Sequence, residues 1–178
     1  LYPHAHVVAF HYRGYAPSSG RPGAEALLGD ALLVHDELTA RLKPERVVAA
    51  GFSIGTGPAA RLASRRPLHG LILVTPFDSL AKVAGGHYRW VPVALLFRHR
   101  LEPARDLTGS RTPVAILAGT RDTLIVPERT LALRRAVPNL VFERSFPAGH
   151  NDIYDHPGFR TAMREALQQV TAVAASSS

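Results

Sequence analysis

Residues 46–57 read RVVAAGFSIGTG, and this stretch carries a strand, a sharp turn and the beginning of a helix. Residues 47–50 are apolar without alternation, which is typical of a parallel strand covered by helices on both faces. The next five residues, GFSIG at 51–55, match the G-x-S-x-G pattern, in which a strained strand-to-helix turn exposes the serine hydroxyl. The stretch therefore predicts a wound α/β fold with Ser53 as a candidate nucleophile.

The same alternation of strand and helix extends to both sides of this turn. Apolar runs predict strands at 7–12, 46–52, 71–75, 114–119 and 140–146, and helical periodicity predicts helices at 24–42, 54–66, 127–137 and 159–173. This order is typical of an α/β protein with a mostly parallel sheet and helices on both faces. Residues 76–112 are too long for a simple crossover, so we expect a short helical insert there within a single domain spanning 1–178.

Composition excludes several classes of protein. With 178 residues, 46% of them apolar and 20% charged, the chain is long enough for one globular core. It has no cysteine and no apolar run near the roughly 20 residues of a membrane span, which favours a cytoplasmic location. The net charge of +7 comes mostly from arginine, but no run of five basic residues and no nucleic-acid-binding motif is present. We therefore expect no nucleic-acid partner, while an anionic membrane surface stays open and the oligomeric state is not indicated.

A serine hydroxyl needs a general base, and the base needs a group that orients it. Asp122 follows the predicted strand 114–119, and His150 follows the predicted strand 140–146. Because functional groups collect at the carboxyl ends of parallel strands, we expect Ser53, Asp122 and His150 to converge. Two further acids stay open for the orienting role: Asp78, which follows the strand 71–75, and Asp152, two residues after the histidine.

Several segments along the chain resemble the α/β-hydrolase superfamily of serine hydrolases, most closely its small depalmitoylase-like and bacterial esterase-like members. The matching segments are YRGY at 12–15, GFSIG at 51–55, TPFDSL at 75–80, HYRWVP at 87–92, GTRDTLIVP at 119–127 and GHND at 149–152. Two positions depart from the family pattern, His11 in place of an acid and Ala16 in place of glycine. The resemblance implies that Ser53 is the nucleophile, that His150 is the general base and then the acid, and that Asp122 is the orienting carboxylate.

The same resemblance implies hydrolysis of carboxylic esters or thioesters that carry an apolar acyl group, a small-molecule or lipid-like substrate, without a metal or organic cofactor. The backbone N–H of Ile54 would bind the oxyanion, and a second donor would come from a loop after the family's third strand, which precedes residue 1. We therefore expect the fold to be N-terminally incomplete. The insert contains candidate acyl-binding side chains or, alternatively, ordinary core residues: Trp90, Leu95, Leu96 and Phe97.

Other functions remain open at this point. A serine peptidase or amidase would use the same three residues. The turn Gly55-x-Gly57-x-x-Ala60 mimics a dinucleotide-binding fingerprint and would suit a nicotinamide-dependent oxidoreductase, although the serine turn precedes it. An α/β-hydrolase fold can also serve only for binding. His4, His6 and His11 suggest a metal site, but alternation along a strand would turn His11 away from the other two, so none is expected.

Overall fold

The structure, a computed structural model, describes residues 5–87 and 101–175. Four parallel strands form its sheet in the order β1-β2-β3-β4, which is also their order along the chain. The strands are β1 (Val48–Phe52), β2 (Gly70–Val74), β3 (Val114–Gly119) and β4 (Leu140–Phe146). Each crossover between neighbouring strands contains at least one helix, so the predicted wound parallel α/β fold is confirmed.

Six α-helices and two 3₁₀ turns complete the described part of the chain. The helices are α1 (Ala24–Leu42), α2 (Thr56–Arg65), α3 (Leu80–His87), α4 (Pro103–Leu107), α5 (Pro127–Ala136) and α6 (Phe159–Ala175). The 3₁₀ turns are Ser53–Gly55 and Asp152–Asp155, and both follow the carboxyl end of a strand.

Helices cover both faces of the sheet, which explains why β2 is apolar at every position. Ile72 and Val74 pack on one face with α6 residues that include Val170. Leu71 and Leu73 point to the other face and pack against α2 and α5. All five residues of β2 are buried, as expected for a central strand whose side chains alternate between two covered faces.

The predicted strand at residues 7–12 was wrong. These residues have no strand partner in the described structure, and Val7 is 81% exposed. An apolar run becomes a strand only where a neighbour satisfies its backbone N–H and C=O groups. β1 is an edge strand of the described sheet, and residues 7–12 do not pair with its free edge in spite of their β propensity.

The described part of the 76–112 insert is helical, since it contains α3 and α4. A hydrogen bond of 2.9 Å from the N–H of Leu80 to the carbonyl of Leu101 joins the beginnings of these two segments. The four candidate acyl-binding residues, Trp90, Leu95, Leu96 and Phe97, lie outside the described residues.

Among the element boundaries that differ from the predictions, two have an identifiable physical cause. β1 begins two residues later than predicted, because Val47 is bound by His69 through its N–H and its carbonyl instead of joining the ladder. α2 begins at Thr56 instead of Ile54, because the 3₁₀ turn at Ser53–Gly55 intervenes. That turn positions the candidate nucleophile.

Candidate active site

Ser53 lies on the tight turn between β1 and α2. Its φ is +50°, a left-handed conformation that non-glycine residues seldom adopt. The turn brings the backbone of Gly55 against β1: a Cβ on Gly51 would lie 2.6 Å from the Gly55 carbonyl oxygen and 2.8 Å from Ala59 Cβ. Glycine at position 51 therefore permits the close approach that holds Ser53 in its strained conformation.

His150 bridges the serine and an acid. Its Nε2 lies 2.8 Å from Ser53 Oγ, and its Nδ1 lies 2.7 Å from Asp122 Oδ2. The side chain of His150 is 11% exposed and that of Asp122 is 2% exposed, so water has little access to the His150–Asp122 contact. The structure thus brings together the three residues that strand order predicted to converge.

Asp122 is oriented by the backbone of its own loop. Its Oδ1 accepts hydrogen bonds from the N–H groups of Leu124 at 2.9 Å and Ile125 at 2.8 Å. Its Oδ2 is left for His150. Because two fixed donors bind one oxygen, the other oxygen can point only toward the imidazole.

The loops that carry Asp122 and His150 are joined directly. The N–H of Arg121 donates to the carbonyl of Ala148 at 3.0 Å, and the Arg121 guanidinium donates to the carbonyl of Pro147. A Cβ on Gly119 would lie 2.4 Å from the Ala148 carbonyl oxygen, so the end of β3 and the histidine loop are in van der Waals contact. The acid and the base are therefore positioned relative to each other by backbone contacts.

The other two candidate acids have different partners. Asp78 is 2% exposed, and its Oδ2 lies 3.0 Å from Lys82 Nζ and 3.3 Å from Arg129 Nη1. Asp152 accepts a hydrogen bond of 2.7 Å from the N–H of Gly149. Asp122 is therefore the candidate acid that contacts the histidine.

Ile54 lies directly after Ser53 in the 3₁₀ turn that leads into α2. Backbone N–H groups at the beginning of a helix have no carbonyl one turn earlier to bind, and the helix dipole is positive at this end. The position of Ile54 is therefore suited to binding a developing negative charge next to the serine.

Exposed apolar side chains lie close in sequence to the three residues, and sequence reasoning selected only Ile54 among them, for its backbone N–H. We call this set the apolar rim; its members are Phe52, Ile54, Leu124, Val126 and Tyr154, each between 37% and 48% exposed. The rings of Phe52 and Tyr154 are 6.2 Å apart, so the rim is continuous between the serine and the histidine loop. Their position in the sequence could have indicated them, since every member lies within four positions of Ser53, Asp122 or His150.

Tyr12 was also missed as a neighbour of the site. A Cβ on Gly55 would lie 3.2 Å from its hydroxyl oxygen, so this phenol adjoins the turn that carries Ser53. A phenol is protonated at neutral pH, and burial raises the pKa of Tyr12 further. The first residue of the YRGY segment thus places a neutral hydroxyl beside the turn.

The structure also bears on the dinucleotide-binding turn and the metal site considered from the sequence. A Cβ on Gly57 would lie 3.0 Å from Leu101 Cδ2, so this glycine makes room for protein instead of a dinucleotide. Within residues 5–87 and 101–175, no group of three or more His, Cys, Asp or Glu side chains is placed to hold a metal ion; His4 lies outside these ranges. None of the helices in the same ranges has the length and apolar character needed to cross a membrane.

Curated relatives share the sequence over most of its length. The chain is 32% identical to the uncharacterized protein Rv2307c of Mycobacterium tuberculosis over 151 residues, 82% of this chain and 53% of that protein. It is 34% identical to alpha/beta hydrolase domain-containing protein 17C of Xenopus tropicalis over 151 residues, 83% of this chain and 47% of that protein. It is 35% identical to lysophosphatidylserine lipase ABHD12 of Danio rerio over 97 residues, 49% of this chain and 25% of that protein. The chain thus spans about half the length of the first two relatives.

Solved structures share the fold. A monoacylglycerol lipase from Paleococcus ferrophilus superposes with a TM-score of 0.65 at 19% identity, covering 92% of this chain and 82% of that one. No protein-family model matches the sequence. By its parallel sheet and its structural neighbours, the chain has the α/β-hydrolase fold, and its sequence is similar to those of relatives named as alpha/beta hydrolase domain-containing proteins.

Proposed function

We propose that Ser53, His150 and Asp122 form the catalytic triad of a serine hydrolase that cleaves carboxylic esters or thioesters with an apolar acyl group. The observation that carries this proposal is the pair of hydrogen-bond contacts made by His150, at 2.8 Å to Ser53 Oγ and 2.7 Å to Asp122 Oδ2. Nucleophile, base and orienting acid within hydrogen-bonding reach are the arrangement that activates a serine.

Each residue has one part in the reaction. As Ser53 Oγ attacks the acyl carbon, His150 Nε2 takes the hydroxyl proton, and Asp122 stabilises the imidazolium that forms. The Ile54 N–H donates to the oxyanion of the tetrahedral intermediate. Collapse of this intermediate breaks the bond to the leaving alcohol or thiol, which receives the proton from His150 and leaves the acyl group on Ser53. Water then attacks the acyl carbon, with His150 again as the base, and restores the free serine.

The apolar rim favours a substrate with an apolar acyl group. Five exposed apolar side chains around one polar centre provide hydrophobic contact for an acyl chain while the scissile carbonyl lies at Ser53. The Danio rerio relative is named a lysophosphatidylserine lipase, which also supports a lipid-like ester. Trp90, Leu95, Leu96 and Phe97 stay predicted contributors to the same acyl pocket.

The proposal is tested by labelling the purified chain with a fluorophosphonate probe and mapping the modified residue by peptide mass spectrometry. We expect the label on Ser53, its loss in Ser53→Ala, and its retention in the control Ser64→Ala, which removes an exposed serine on α2. Hydrolysis of p-nitrophenyl esters of two, four and eight carbons would then measure the acyl preference. We expect kcat/KM to rise from the acetate to the longer esters.

The same experiment separates the remaining alternatives. A chain that takes up no label and hydrolyses no ester would contradict the proposal and favour a non-catalytic binding protein. Label on Ser53 with cleavage of anilides in preference to esters would favour a peptidase or amidase. A label that persists in Ser53→Ala would assign the nucleophile to another residue.

A further inference from the structure

The loop that carries His150 is closed by a hydrogen bond across the histidine itself. The N–H of Gly149 donates to Asp152 Oδ1 at 2.7 Å, so the residues directly before and two positions after His150 are tied together. The length is at the short end for an N–H to oxygen bond, as expected when the acceptor is a carboxylate.

Glycine at position 149 leaves room for the carboxylate in this bond. A Cβ on Gly149 would lie 2.8 Å from Asp152 Oδ1, closer than real Cβ atoms approach an oxygen. A side chain at this position would force the carboxylate to shift from the place where it accepts the Gly149 N–H. The absence of a side chain at Gly149 and the hydrogen bond from its N–H therefore belong to the same contact with Asp152.

Both ends of the closed segment are anchored in the body of the protein. On the amino side, the carbonyl of Ala148 accepts the N–H of Arg121, next to Asp122. On the carboxyl side, Asp152 begins a 3₁₀ turn whose next residue, Ile153, is fully buried in the core beside α6. Asp152 thus links the backbone next to His150 to Ile153, a residue fixed in the core.

We propose that Asp152 is a positioning residue for His150: its carboxylate holds the Gly149 N–H and thereby fixes the backbone from which the imidazole reaches both Ser53 and Asp122. This inference rests on the proposed function, because positioning matters to a reaction only if His150 is the base. A displacement of about 1 Å in a catalytic group can cost about 100-fold in rate. Asp152 therefore acts through His150 without touching the substrate.

The test compares three variants at position 152 and its neighbours. Asp152→Ala removes the acceptor, Asp152→Asn keeps an acceptor oxygen without the charge, and Asp155→Ala is a matched control that removes another exposed carboxylate from the same 3₁₀ turn. With an ester substrate, we expect Asp152→Ala to lower kcat by about 10- to 100-fold at an unchanged KM. We expect Asp152→Asn and Asp155→Ala to keep kcat within about threefold of the parent chain.

A second measurement follows the contact without relying on activity. Amide hydrogen exchange at Gly149 is expected to accelerate by at least about tenfold in Asp152→Ala and to stay near the parent rate in Asp152→Asn. Gly149→Ala is expected to reproduce the loss of kcat, and the double variant is expected to be no worse than either single one, since both changes break the same bond. Thermal melts confirm that each variant is folded before its rate is compared.

Two outcomes would overturn the proposal: an Asp152→Ala chain with the parent kcat, or an Asp152→Asn chain that loses as much as Asp152→Ala. The first means that the bond does not position the base, and the second means that charge, not the hydrogen bond, is what matters. Failure of the proposed function is distinguishable from both. A parent chain that neither labels at Ser53 nor hydrolyses esters removes the catalytic role, while exchange at Gly149 still reports whether Asp152 holds the loop.

Discussion

Replacing Asp122 with asparagine should lower activity by about 10⁴-fold by changing the tautomer of His150. The two backbone N–H groups that bind Oδ1, from Leu124 and Ile125, can be satisfied only by an oxygen. The amide oxygen of the new side chain would therefore occupy the Oδ1 position, and its NH₂ group would face His150 Nδ1. An NH₂ donor there forces Nδ1 to accept, which places the imidazole proton on Nε2. The ring would then donate to Ser53 Oγ and could not take its proton.

The size of this effect follows from the chemistry that is lost. A triad whose histidine is held in the wrong tautomer is slower by about 10⁴-fold, which corresponds to about 5.5 kcal/mol of transition-state stabilisation. Folding should change little, because the substitution keeps the shape and both hydrogen bonds at the Oδ1 position. Asp122→Ala is the contrasting change: it removes the acceptor of the Leu124 and Ile125 N–H groups, and the buried Ile125 N–H alone would then cost about 1–3 kcal/mol.

The assay is kcat/KM for an ester substrate, with thermal melts to verify folding. Asp78→Asn is the matched control, because it makes the same isosteric change in the other buried acid at a strand end. Asp78 pairs with Lys82 and Arg129, so we expect that variant to lose stability but to keep its activity per folded molecule. Activity in Asp122→Asn within tenfold of the parent chain, or an equal loss in Asp78→Asn, would refute the reasoning.

Two further predictions concern stability. Gly51→Ala should lower the free energy of unfolding, measured by urea titration, by about 1–3 kcal/mol or more, because the new Cβ would lie 2.6 Å from a backbone carbonyl oxygen of the turn. The control is Gly29→Ala in α1, where no atom lies within 4 Å of the new Cβ. This change should raise the free energy of unfolding by up to about 1 kcal/mol in the same titration. Hydrogen bonds from the Arg66 guanidinium hold the pKa of Asp36 well below its usual range, so this carboxylate stabilises the fold above the pKa of an unfolded aspartate, and its contribution is lost as the pH falls through the lowered value. Asp36→Asn should therefore flatten the decline of melting temperature with pH below about 4, and an unchanged acid profile would contradict this.

Three elements were predicted with their observed bounds: the buried strand β3, the partly exposed strand β4 and the helix α1. The predicted ranges 114–119, 140–146 and 24–42 coincide with β3, β4 and α1. For β3 and for α1, the pattern of apolar residues indicates directly which faces are buried. Residues 7–12 have the same apolar character, but a strand depends on a neighbouring strand, and a local pattern carries no information about the neighbour.

The turn at Ser53 shows a different limit. The motif predicted a strand-to-helix turn at the right residues. The helix nevertheless begins two positions later than predicted, because a 3₁₀ turn that starts at Ser53, with its positive φ, precedes it. Helical periodicity cannot resolve such a turn, since Ile54 and Gly55 fit either geometry. Apart from Ile54, which was selected for its backbone N–H, the apolar rim was missed for a related reason: apolar residues next to a motif are interpreted as core until their exposure is known.

The sequence left three candidate acids open, and it is the tertiary structure that places Asp122 against His150. One local feature of the sequence already separated Asp78 from Asp122. Asp78 is followed four positions later by Lys82 on the next helix, a spacing at which opposite charges pair, and the structure places them 3.0 Å apart. Asp122 is followed by uncharged residues through position 127, so no cation follows it at that spacing. A buried carboxylate must find a partner, and one without such a cation must be paired from elsewhere in the fold. For Asp122 that partner is His150, 28 residues away and held within reach by the contact between the ends of β3 and β4.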